Sequence, residues 1–185
     1  RITKLDRKLK QIDLEKTTQR KNRRDVFKVA LVGYTNAGKS TLMNQLTGAE
    51  SLVENKLFAT LDSTIRKIKK NFPYPVVLSD TVGFIDKLPH DLIASFKSTL
   101  DEVRDANLLI MMVDISDSNA KRQIQTTYNV INELGVEETD LLLVLNKVDK
   151  VSDPEIIKSE IQRYPDAIFI SSKDGTGLDV LRNAI

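Results

Sequence analysis

The run Gly33-Tyr34-Thr35-Asn36-Ala37-Gly38-Lys39-Ser40-Thr41 follows directly on an apolar β-type segment, Val26-Phe27-Lys28-Val29-Ala30-Leu31-Val32. A helical pattern comes next, with Leu42, Met43 and Leu46 on one side. Few stretches restrict a fold more. The spacing G-x-x-x-x-G-K-[ST] between strand and helix is that of a phosphate-binding loop, in which successive backbone N–H groups converge on one anion. Gly33 and Gly38 let the backbone turn with no Cβ in the way. Lys39 reaches the phosphate oxygens as a point charge, and Ser40 offers a hydroxyl suited to Mg²⁺, a hard cation that prefers oxygen. The helix beginning at Lys39 turns the positive end of its dipole to the same anion. A plain glycine-containing turn leaves the Lys-Ser pair and the strand, loop, helix order unaccounted for.

Three further stretches complete a site. The irregular segment from Ala49 to Ser63 contains Phe58-Ala59-Thr60-Leu61-Asp62, ahead of a strand expected over 65–70. In phosphate-loop switches a mobile segment at this place carries a Thr that ligates Mg²⁺ through its hydroxyl and meets the γ-phosphate with its N–H. Thr60 is the first candidate and Thr64 the second. Val76-Val77-Leu78-Ser79 then runs into Asp80-Thr81-Val82-Gly83. A carboxylate at that strand end holds magnesium through water, and Gly83 offers an N–H to the γ-phosphate, since a Cβ there would obstruct the phosphate's approach. Lys39, Thr60 and Gly83, all addressed to the γ-phosphate, are the candidate catalytic groups, and Ser40, Thr60 and Asp80 the candidate metal ligands. Finally Leu141 to Leu145 leads into Asn146-Lys147-Val148-Asp149. The Asp149 carboxylate can accept from both N1–H and the 2-amino group of guanine, a pair adenine lacks; a site whose acceptor is left unpaired by the wrong base discriminates by a factor on the order of 10⁴. Lys147 is expected along the base face, and Asn146 is expected to tie this loop to the phosphate loop. Ser171-Ser172-Lys173, after a sixth strand at 167–170, can direct an N–H at the base oxygen and stack a lysine on the ring.

The remaining chain frames these motifs. Its 185 residues allow one α/β domain plus an appendage. The absence of cysteine excludes disulfides, thiolate metal sites and thiol catalysis. No apolar run approaches the roughly 18 residues needed for a membrane span, so a cytoplasmic protein is the expectation. Beginning at Arg1 and stopping inside a helical pattern, the sequence reads as a piece of something longer. Net charge is +2, yet residues 1–24 carry ten basic side chains against three acidic ones, +7, which leaves −5 for the rest. In this arm Ile2, Leu5, Leu9 and Ile12 form a helical stripe. A polyanion-binding arm and a solvated linker helix both account for it. The helix with Pro89 near its first turn carries Leu92, Ile93, Phe96 and Leu100, and His90, the one histidine, suits a cap better than a catalyst. Leu108 to Val113 suits a central parallel strand, Asp114, Ser116 and Asp117 read as loop and cap residues, and a helix through Ile124 to Leu134 ends at Gly135. The expected architecture is a three-layer α/β sandwich, a mostly parallel six-stranded sheet over 25–185, preceded by a helical arm over 1–24.

With these motifs quoted, the chain from Val26 to Ile185 resembles the translation-factor-related P-loop GTPases, and within them the HflX family. The likeness rests on Val32 to Thr41, Phe58 to Asp62, Asp80-Thr81-Val82-Gly83-Phe84-Ile85, Leu88-Pro89-His90 and Leu143 to Asp149. It departs at Ser63, where Pro is usual, and at Ser172, where Ala is usual. The resemblance implies GTP and GDP as ligands, held by Gly33, Tyr34, Thr35, Asn36, Ala37, Gly38, Lys39, Ser40, Thr41, Phe58, Thr60, Asp80, Gly83, Asn146, Lys147, Asp149, Ser171, Ser172 and Lys173. It further implies Mg²⁺ and a large ribosomal subunit and its RNA as partner, and the expected state is a monomer. Phe84 stands where Ras-like enzymes place a Gln that orients water, and it neither donates nor accepts a hydrogen bond. Slow intrinsic hydrolysis, stimulated by a partner, is therefore expected. Asn36 resembles the loop Asn of K⁺-stimulated GTPases. Two other readings stand beside this one: a guanine-nucleotide sensor without useful turnover, and an RNA-binding scaffold whose basic arm is the working part.

Overall fold

A computed structural model of the chain describes residues 26–48, 64–68, 72–81, 83, 97–136 and 139–185. The arm over 1–24, Phe58, Thr60, Phe84 and His90 lie outside them. β1 (Phe27–Gly33) and β4 (Leu108–Asp114) are nearly continuous apolar runs, which parallel strands covered on both faces require. They pair in parallel from Val29↔Leu108 to Gly33↔Met112. β3 (Val76–Asp80) joins the other side of β1, and β5 (Asp140–Asn146) and then β6 (Ile168–Phe169) extend the sheet beyond β4, all in parallel. β2 (Thr64–Lys67), short and charged, runs antiparallel to β3 at the edge. The six strands lie in the order β2-β3-β1-β4-β5-β6.

Alternation along the strands splits the core into two layers. Val29 and Leu31 of β1 with Leu108, Ile110 and Met112 of β4 face α1 (Lys39–Thr47) and α5 (Leu178–Ala184), which bury Leu42, Met43, Leu46, Leu178 and Leu181 against them. Ala30 and Val32 with Leu109, Met111 and Val113 face α2 (Lys97–Arg104) and α3 (Ala120–Glu133), through Val103, Ile124 and Ile131. The start of the sheet is fastened by Asn107, whose N–H donates to Lys28 O at 2.8 Å and whose Oδ1 accepts from Lys28 N at 2.9 Å.

Boundaries differ from the sequence reading where edges decide. The strand expected over 65–70 is regular over Thr64–Lys67, with Ile68 N still donating to Val76 O at 3.0 Å. The strand expected over 167–170 shortens to two residues, although Ile170 N donates to Leu145 O at 2.9 Å. One helix the sequence reading passed over is α4 (Pro154–Arg163). Asp153 caps it by accepting from Glu155 N, and Pro154 stands at its first turn, where a missing N–H costs nothing. Its Ile156 and Ile161 are exposed, while Ile157 is half-buried. No helix among the described residues is long and apolar enough to cross a membrane.

Candidate nucleotide-binding site

Every loop that the sequence singled out and the structure describes leaves the carboxyl end of a strand, on one rim of the sheet. β1 ends at Gly33, and the turn through Asn36, which is exposed with φ +62°, returns the chain to α1. Gly38, the residue before that helix, has φ +101°, a region L side chains rarely enter. A Cβ there would also lie 2.2 Å from Asn146 Nδ2. Lys39 opens the helix but its side chain folds back into the loop, where Nζ donates to Gly33 O at 3.1 Å and Tyr34 O at 2.9 Å. Only 6% of the residue is exposed. Burial pulls its pKa from 10.5 to about 8, with the Asp80 carboxylate offsetting part of that effect.

Asp80 closes β3 beside Leu31 of β1 and is buried. Its Oδ2 accepts from Ser40 Oγ at 2.6 Å, which brings two of the three candidate metal ligands into contact. Two neighbouring oxygen donors, one anionic, suit Mg²⁺, which is bound through one or two carboxylates plus substrate phosphates. The described residues hold no group of three His, Cys, Asp or Glu that would make an all-protein metal cage. Thr81 donates from Oγ1 to Leu31 O at 2.5 Å, pinning the loop after β3 to β1. Gly83 then passes so near the phosphate loop that a Cβ would stand 2.7 Å from Thr35 Cα. The glycine is thus demanded by Thr35 itself, whereas the sequence reading attributed it to room for phosphate. Thr64, the second candidate for the metal-ligating threonine, begins β2 in register with Asp80 and is exposed.

The loop after β5 is built on Asn146, the last residue of that strand, which is 1% exposed. Its Nδ2 donates to Ala37 O at 2.7 Å, and its Oδ1 accepts from both N and Oγ of Ser172, each at 2.9 Å. One amide therefore joins the phosphate loop to the loop after β6, as the sequence reading expected of the first tie. Lys147 follows with φ +66°. Asp149 lies exposed in the short 3₁₀ turn Val148–Lys150. Lys173 is exposed and Ser171 buried, with Ser171 N donating to Thr176 O at 2.9 Å. Thr176 in turn donates from its N–H to Asp174, holding that carboxyl below its ordinary range.

One residue that the sequence reading set aside belongs to this cluster. Asp114, which its sequence neighbourhood marks as a loop residue, ion-pairs with Lys147 at 2.6 Å. The signal was its position: the last residue of a buried parallel strand stands beside the last residue of the next, and Asp114 is in register with Asn146.

Comparison with known proteins agrees with this geometry. The family model described as 50S ribosome-binding GTPase matches residues 28–147. A GTPase HflX of Gluconacetobacter diazotrophicus is 44% identical over 185 residues, covering 100% of this chain and 41% of the relative. That of Magnetococcus marinus is 46% identical over 183 residues, covering 98% and 42%. Among solved structures, a GTP-binding protein from the hyperthermophilic archaeon Sulfolobus solfataricus in complex with GDP superimposes with a TM-score of 0.64 at 27% identity, over 99% of this chain and 55% of that one. The chain spans about two-fifths of the length of these curated relatives. The chain belongs to the 50S ribosome-binding GTPase family, in its HflX group.

Proposed function

We propose that the chain is a cytoplasmic GTP-binding and GTP-hydrolysing switch that acts with the large ribosomal subunit. The observation that carries the reading is the Asn146 amide, which spans from Ala37 of the phosphate loop to Ser172 of the base loop and makes one frame of two half-sites. In that frame the amides from Gly33 to Thr41 and the Lys39 ammonium enclose the phosphates. Asp149 selects guanine, and Lys147 and Lys173 flank the ring; the N–H groups of Ser171 and Ser172, engaged by Thr176 O and Asn146 Oδ1, brace the loop that carries Lys173. Ser40 and Asp80, with Thr60, would hold Mg²⁺, which when bound supplies positive charge against the β- and γ-oxygens. Gly83 offers its N–H to the γ-phosphate from a position fixed by Thr35. With Phe84 in place of a water-orienting Gln, positioning and charge do the work, and intrinsic turnover is slow. Exposed Asn36 is the residue that would hold a stimulating K⁺, so turnover should be faster in KCl than in NaCl.

The decisive experiment measures GTP binding and hydrolysis while purified large ribosomal subunits are titrated in. The reading expects tight guanine-nucleotide binding, slow basal turnover and acceleration by the subunit on the order of 10³ or more. Binding without any turnover, in single-turnover assays with and without subunits, would leave a nucleotide sensor; no binding of GTP or GDP would remove both.

A further inference from the structure

The Lys147 backbone lies in the left-handed region at φ +66°, an uncommon conformation for a residue with a side chain. Such a conformation persists where its surroundings over-determine it. Here three contacts do so. Val148 N donates to Ile170 O at 3.2 Å and Lys150 N to Lys147 O at 3.0 Å. The third is the ion pair from Lys147 Nζ to Asp114 Oδ2 at 2.6 Å, with the two side chains only 14% and 16% exposed. Asp114 is itself fixed: its Oδ1 accepts from Ser116 N at 3.0 Å and Ser116 Oγ at 2.5 Å. A chain of contacts thus runs from Ser116 through Asp114 to the lysine that precedes the base-selecting carboxylate by two residues.

We propose that Asp114 is a positioning residue for base recognition. It anchors the ammonium of Lys147 so that the methylene stem is held as a flat support for the purine, and it keeps the left-handed turn that presents Asp149 at the rim. The ion pair is largely removed from water, and such pairs act strongly when one partner is taken away, because the other is left charged and unmatched. Immobilising the lysine before the base arrives also removes an ordering cost from binding. This inference rests on the guanine reading given above.

The test is a double-mutant cycle on GDP binding, by titration calorimetry with the folded chain. Asp114→Asn should weaken GDP roughly tenfold or more, and Ser116→Ala, which loosens the carboxylate without removing it, severalfold. In a Lys147→Met background, which keeps an apolar stem and has no ammonium to anchor, Asp114→Asn should change affinity by less than about twofold. An equal loss in both backgrounds would mean that Asp114 acts only through general stability, and would overturn the proposal. So would wild-type affinity in Asp114→Asn and Ser116→Ala while the parent chain binds GDP. Should Asp114→Asn not fold, Ser116→Ala in the two backgrounds supplies the same cycle. A parent chain that does not bind GDP at all would instead remove the guanine reading, and this inference with it.

Discussion

Lys39 offers the sharpest test of the phosphate site, since its ammonium is buried against two carbonyl oxygens and has a pKa of about 8. A phosphate oxygen set against the same nitrogen favours the charged form and returns the pKa to its ordinary range. The nucleotide-free chain therefore sheds this proton as pH rises through 8, and the complex keeps it. Binding must then take up about a tenth of a proton at pH 7 and about half a proton at pH 8. Above pH 8 the Lys39 contribution weakens affinity about tenfold per pH unit. Calorimetry of GDP binding in buffers of different ionisation enthalpy reads the uptake directly, and Lys39→Met, titrated at higher ligand concentration, supplies the background from phosphate and base. Equal uptake at pH 7 and pH 8 would refute the argument. The same group sets a second sign. Because its folded pKa lies below its unfolded value, the unfolded chain binds more protons between pH 8 and 10.5, and the nucleotide-free fold gains stability across that window, by about 3 kcal/mol from this residue. Urea unfolding at pH 8 and pH 10, with Lys39→Met as reference, should show the parent gaining more.

Other consequences follow from single contacts. Asp149→Asn should lower GTP affinity and shift preference toward xanthosine triphosphate, whose 2-oxo group accepts where guanine donates; unchanged preference in competition binding would show that the base is read elsewhere. Ser172→Ala removes one of two hydrogen bonds at Asn146 Oδ1 and keeps the N–H, so GDP affinity should fall only about twofold to tenfold, from roughly 0.5–1.5 kcal/mol. A loss beyond a hundredfold would mean that the hydroxyl does more than brace the amide. Ile110→Ala empties a fully buried position at the centre of the sheet and should cost about 2–5 kcal/mol in urea unfolding, with little change in GDP affinity once folded.

The site was legible in the sequence where chemistry is tied to local spacing. Lys39 must follow Gly38 because a helix begins there and its side chain folds back, and the tetrad must end a strand for Asn146 to face Ala37. What stayed hidden depends on contacts between distant segments. Asp114 looked like a loop residue because its partner is 33 positions away and becomes adjacent only when β4 and β5 align. Gly83 looked like room for a phosphate, and its neighbour turned out to be Thr35. The start of helix α4 was legible in Asp153-Pro154, a cap followed by a proline at the first turn.

The position of the site follows from the order in which the chain lays down the sheet. From β1 it moves to one side through α1, β2 and β3, then crosses to the other side of β1 to form β4, β5 and β6. Loops at the carboxyl ends therefore diverge at the β1–β4 junction, and a crevice opens where the direction of winding reverses. The loop after β1 stands at that junction, and the loop after β5 lies two strands away. Left alone, two such loops would move independently, and a nucleotide would have to order both. The Asn146 amide prevents this: it bonds Ala37 on one side and Ser172 on the other, and Gly38 lies so close to it that no Cβ fits between. On the proposed reading, the phosphate half and the base half thus share one buried side chain as their brace. Guanosine or a bare triphosphate, each filling only one half, should in calorimetry bind with less than half the free energy of GTP, because each fragment alone loses the translational and rotational freedom that GTP loses only once.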